Sequence, residues 1–117
     1  MSFIKEKGLS LSEINPGSDE VALTVNDALH ALDLLHGSEI VVLGGDILSR
    51  KKDGKLVYAY QLWGDEYHYL SWYCSKIDSE NLEDYVKRSH MAAKESIKNA
   101  GDMAKCLGKK CYIVIVI

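Results

Sequence analysis

The sequence predicts an α+β domain: a mostly antiparallel β-sheet, made of a meander plus a C-terminal strand, with two α-helices packed on one face. Three observations point there. Apolar residues recur at helical spacing in two well-separated stretches. Between those stretches, tyrosines and tryptophans alternate around Asp-Gly and Gly-Asp turns. The last residues, Ile113 to Ile117, form an unbroken β-branched run.

Each element has its own local reason. Residues 1–20 read as a weakly structured lead-in or edge strand, with Leu9 and Leu11 ahead of the turn-rich Asn15-Pro16-Gly17-Ser18. A helix is predicted over 25–36, because Val25, Ala28, Leu29, Leu32 and Leu35 make one stripe. Thr24 and Asp27 sit where a capping box belongs, and Gly37 suits a left-handed C-terminal cap. Residues 39–43 are apolar and β-branched and read as a buried strand, with Gly44-Gly45-Asp46 marking a bulge or tight bend. Lys52-Asp53-Gly54-Lys55 is a hairpin turn, since Asp-Gly accepts positive φ. Alternation over 56–63 and 67–74, on either side of Gly64-Asp65-Glu66, completes the meander. Ser79 is the expected N-cap of a long helix whose inner face is Leu82, Tyr85, Val86, Ser89, Ala93, Ile97, Ala100 and Ala104, with Gly101 ending or weakening it. The terminal run then belongs inside the sheet.

At 117 residues the chain reads as one domain, 1–117, able to bury a core without staples. With 47% hydrophobic and 26% charged residues it is neither disordered nor membrane-spanning, and no apolar run reaches the roughly 20 residues that a bilayer demands. Three cysteines, an odd number without a C-x-x-C pair, favour reduced thiols and a cytoplasmic location over a disulfide framework. Net charge is −3, with eleven acids against six bases in residues 1–66. An acidic half argues against a nucleic-acid partner and fits a basic protein surface, although a solvated face has the same composition.

No motif for catalysis, metal or cofactor emerges. Gly44-Gly45-Asp46 lacks the following helix that a phosphate loop requires. His68 and Cys74, six apart in one expected strand, would lie roughly 20 Å apart, too far for proton transfer. The four histidines have no zinc-like spacing. The aromatic cluster is the unusual feature: Tyr58, Tyr60, Trp63, Tyr67, Tyr69, Trp72 and Tyr73 crowd one stretch, with Asp65 and Glu66 at its turn. Such side chains either stabilise a meander by cross-strand pairing or form interface hot spots. Asp46, Trp63, Asp65, Glu66, Tyr67, Tyr69, Trp72 and Tyr73 are therefore the candidate partner-binding residues.

Several segments, in order, carry a family resemblance: Asp27-Ala28-Leu29-His30-Ala31-Leu32-Asp33, Val42-Leu43-Gly44-Gly45-Asp46, the Asp53-Gly54 hairpin, Ser71-Trp72-Tyr73-Cys74, and Glu83-Asp84-Tyr85-Val86-Lys87-Arg88-Ser89. Over residues 20–100 the chain resembles the Immunity protein 40 family of bacterial polymorphic toxin systems, which includes partners of contact-dependent growth inhibition toxins. The resemblance implies a non-enzymatic, cytoplasmic antitoxin that binds the C-terminal domain of a cognate toxin, often a nuclease, occluding its active site or locking its conformation. It transfers no contact residues. Two other readings compete: a small hydrolase using Asp46, His68 or a cysteine, and a ligand-binding regulatory module using the aromatic face. A monomer is favoured, with pairing through an exposed strand edge left open.

Overall fold

A computed structural model describes residues 9–10 and 21–117. Leu11 and the turn expected at 15–18 lie outside those residues. The elements run β1 (Leu9–Ser10), β2 (Val21–Thr24), α1 (Val25–Leu35), β3 (Gly44–Arg50), β4 (Leu56–Tyr58), α2 (Ala59–Trp63), a 3-10 helix (Asp65–Leu70), β5 (Trp72–Tyr73), α3 (Leu82–Leu107) and β6 (Tyr112–Val116). The fold is α+β. The sheet order is β1-β2-β6-β3-β4, with β5 also on β3, and every pairing among the described residues is antiparallel.

The C-terminal run sits inside the sheet, as its composition predicts. Ile113 pairs with both Leu23 and Ile47, so β6 lies between β2 and β3. The hairpin follows the Asp-Gly signal: Arg50 opposes Leu56, Gly54 has φ 88°, and Lys55 N–H donates to Asp53 Oδ1 at 3.0 Å. Helix α1 keeps its predicted start, with Asp27 N–H donating to Thr24 Oγ1 at 3.2 Å, and Gly37 takes the left-handed position at φ 83°.

Strand alternation sorts the core. Leu23, Ile47 and Ile113 form one cluster with the inward residues of α1 (Ala28, Ala31, Leu32, Leu35) and of α3 (Ala93, Ile97, Ala100). Their sheet neighbours Ala22, Leu48, Leu56 and Val114 form a second cluster composed of strand residues alone. Small residues let the helices approach: a Cβ on Gly101 would lie 3.2 Å from Val25 Cγ1.

Several expectations are corrected. Residues 39–43 are not a strand; β3 begins at Gly44. The linker before it is instead held by side chains, since Val42 N–H donates to Ser89 Oγ at 3.0 Å. From Gly44 to Leu48 the ladder with β6 is regular, and the irregularity lies at its start, where Leu43 N–H donates to the carbonyl of Val116, the residue that Gly44 opposes. A side chain on Gly44 would run into the Trp72 carbonyl, and one on Gly45 into the Trp72 indole and the Val114 carbonyl. Glycine is needed there for close approach.

The meander is also overturned beyond Tyr58. Residues 59–70 are helical apart from Gly64, because Ala59, Trp63, Tyr67 and Leu70 recur at spacings of four, four and three and turn inward together. Gln61 Oε1 accepts from Tyr58 N–H at 3.2 Å and starts the turn. Helix α3 is capped by Asn81 rather than Ser79, with Asp84 N–H donating to Asn81 Oδ1 at 2.8 Å. Leu82, expected inside, is exposed, while the other seven residues of that face are buried. Gly101 does not end the helix; Gly108, left-handed at φ 65°, does.

Candidate partner-binding surface

The helical turn at 59–70 divides the aromatic cluster into two sets. Trp63, Tyr67 and Trp72 turn toward the core and pack against the first cluster. Trp63 and Tyr67 meet edge to face at 6.0 Å, and neither the Trp63 nor the Trp72 indole N–H finds an acceptor among the described residues. Tyr69 is 65% exposed and Tyr73 78%. Tyr60 stacks on the exposed His68 ring at 3.6 Å.

Asp65 and Glu66 project from the first turn of the 3-10 helix into solvent. Asp46 is apart from them in β3, opposite Val114 and half-buried. Burial raises its pKa, partly offset by a hydrogen bond with the Ser71 side chain. The structure thus gathers Asp65, Glu66 and Tyr69 on one exposed turn, with Tyr73 beyond it on β5, and gives Trp63, Tyr67 and Trp72 to packing. His68 is exposed whereas Cys74 is buried. No group of three metal-ligating side chains gathers among the described residues, and no helix there is long and apolar enough to cross a membrane.

A polar staple fixes the segment after β5. Arg88 grips Glu80 in a fork, Nε to Oε2 and Nη2 to Oε1, both at 2.8 Å. The same guanidinium reaches Cys74 Sγ at 3.2 Å, and Tyr85 O–H donates to the Cys74 carbonyl at 2.8 Å. The Arg88 hydrogen bond, then the Ile77 N–H and nearby positive charge, hold the Glu80 carboxyl down to about 2, against the opposing effect of burial. The loop leading into α3 is therefore tied to that helix through Arg88 and Tyr85.

Beside that loop lies a feature that the sequence reading did not mark: an open groove of about 880 Å³ between the end of α1 and the first turns of α3. Leu82, Val86 and Met91 supply its apolar lining, and its polar lining includes Glu39, His36 and His90 together with Glu83 and Lys87, which pair at 3.3 Å. His90 Nε2 lies 2.8 Å from the Ile40 carbonyl and ties the linker wall to the helix. The one available signal in the sequence was Met91, a large apolar residue off the inner stripe of α3.

No curated protein and no solved structure gives a match. The sequence model of Immunity protein 40 matches residues 10–117, essentially the whole chain. The chain belongs to the Immunity protein 40 family.

Proposed function

We propose that this chain is an antitoxin that works by binding the C-terminal domain of a cognate toxin in the cytoplasm, without catalysis of its own. The observation carrying this reading is the family match across residues 10–117. The toxin is a nuclease of a polymorphic or contact-dependent growth inhibition system, and the bound antitoxin occludes its active site. A nuclease needs a cationic surface to hold phosphates, and a carboxylate-bearing inhibitor complements that surface.

On this reading the exposed Asp65, Glu66, Tyr69 and Tyr73 meet the toxin. Trp63, Tyr67, Trp72 and Asp46 hold those residues in place from beneath. Tyrosine buries large area at little entropic cost, and paired carboxylates raise the encounter rate. The test is calorimetry with the C-terminal domain encoded immediately upstream of this chain's gene, together with a nuclease assay. Binding at nanomolar affinity or tighter, an on-rate that falls with salt, and loss of nuclease activity at one equivalent are expected. Absence of binding refutes the reading; binding with cleavage undiminished refutes occlusion.

A further inference from the structure

Resting on the immunity reading above, we propose that the docking surface covers one whole end of the molecule, centred on the groove between α1 and α3, and that it takes a cationic protein surface bearing an apolar protrusion. Isolated exposed apolar residues are ordinary. Here they are not isolated. Among the described residues, every large apolar side chain left exposed falls within 33–46 or 65–91 or is Ile117, and these segments include the start of β3 and the residue after β6.

Hydrogen bonds give the convergence. Gly44 opposes both Tyr73 and Val116, Leu43 N–H donates to the Val116 carbonyl at 2.8 Å, and Cys74 N–H donates to the Leu43 carbonyl at 2.7 Å. Exposed Leu43, Tyr73 and Ile117 therefore lie at the same end of the sheet, with Tyr73 and Ile117 on alternate faces of it. Leu82 and Met91 line the adjoining groove, and the His90 contact with the Ile40 carbonyl ties exposed Ile40 to its wall. Exposed apolar side chains gathered at one end of a fold, around an open groove, mark an interaction site.

Charge identifies the occupant. The segments forming this end, 33–46 and 65–91, hold nine acids against three bases. Those forming the opposite end, 49–56 and 98–112, hold eight bases against two acids. Helix α3 joins the two ends and, at 26 residues, is roughly 39 Å long, several times the screening length of about 8 Å at physiological salt. A docking partner at the groove therefore meets an acidic field that the distant lysines do not cancel. A second copy is a poor occupant, because a two-fold pair would press an excess of six acids (nine less three) against the same excess. The basic end is no better match, since it exposes no large apolar side chain among the described residues.

The test uses the full chain and the purified C-terminal domain encoded immediately upstream, with thermal melts to verify folding. The Leu82→Ser/Met91→Ser double variant is expected to lose at least tenfold in affinity. Glu39→Lys is expected to slow association severalfold at low salt. Lys52→Glu/Lys109→Glu, at the other end, should bind within twofold of the parent. If the parent chain binds while the folded Leu82→Ser/Met91→Ser variant binds equally well, the docking end is overturned and the immunity reading stands. If the parent does not bind, both fall. A dimer in sedimentation that Met91→Ser dissociates would make the groove a self-interface and overturn the proposal.

Discussion

Replacing Ser89 with alanine tests how the groove wall is built. Ser89 is fully buried in α3, where its hydroxyl donates to the Val86 carbonyl at 2.8 Å and accepts from Val42 N–H at 3.0 Å. Val42 is equally buried, so Ser89→Ala strands a backbone donor away from water. An orphaned donor costs about 1–3 kcal/mol. Alanine recovers about 0.5 kcal/mol of helix propensity. The net loss is therefore about 1.5 kcal/mol, or about 6 °C in Tm at roughly 4 °C per kcal/mol for a chain of this size. Urea titration and thermal melts give the size, and hydrogen exchange gives the place. The Val42 amide should exchange faster than in the parent, while amides of β6 should slow or speed only with global stability. Ser96→Ala, at a half-buried position on the same helix, carries the propensity change alone. If Ser89→Ala proves as stable as Ser96→Ala with Val42 equally protected, the clamp is not what holds the linker.

Three further outcomes are expected. Gly45→Ala should cost about 3 kcal/mol, the upper range for overpacking, because the new methyl meets the Trp72 indole and the Val114 carbonyl; a red-shifted tryptophan emission would report Trp72 leaving its site. Glu80, lowered from 4.5 to about 2 by Arg88, adds stability that is complete above about pH 4.5 and lost as pH falls toward 2, so Glu80→Gln should flatten Tm across that window; an unchanged slope would refute the assignment. Exposed Cys106 should alkylate first in the folded protein at pH 8, whereas burial pushes the Cys111 thiol up to about 12 and keeps it unreactive until unfolding, as mass spectrometry of the labelled protein will tell.

Where the sequence was legible, one local cause had one structural outcome. Thr24, the stripe from Val25 to Leu35 and Gly37 delimit α1 because cap, face and stop agree. The run ending the chain reads as a central strand because it has no polar face to show to water. Legibility failed where two periods coexist. Tyr58, Tyr60 and Leu62 alternate like a strand, yet Ala59, Trp63, Tyr67 and Leu70 follow a helical period, and nothing within the segment ranks the two. The outcome depends on tertiary partners: the core beneath Trp63, and a β3 whose start is occupied by β5. Gly44-Gly45 was ambiguous for the same reason, since the residues that exclude a side chain there come from positions 72 and 114. Charge misled in a different way. Dividing the chain at residue 66 showed an acidic first half, but the hairpin lysines of that half lie at the basic end, while Glu80, Glu83 and Asp84 of the second half lie at the acidic one.

Part of this polarity has an explanation inside the fold. Glu83 and Asp84 in the first turn of α3, and Lys105 in its last, each oppose the partial charge of the helix end. Lys51, Lys52 and Lys55 cluster at the hairpin beside β4, the terminal strand of the sheet order, where charge discourages edge-to-edge association. Neither cause reaches Glu39, Asp65, Glu66 or Asp78, which lie off α3 and outside the lysine hairpin. Neither reaches the apolar residues at all. A solvent-facing Tyr73 or Met91 gains the fold no burial, and placing several such side chains together invites unwanted association. Helix caps and edge protection thus account for some of the lysines and some of the acids. The clustered tyrosines, leucines and methionine have no such cause within the fold, and on the immunity reading they are the side chains that a second protein covers.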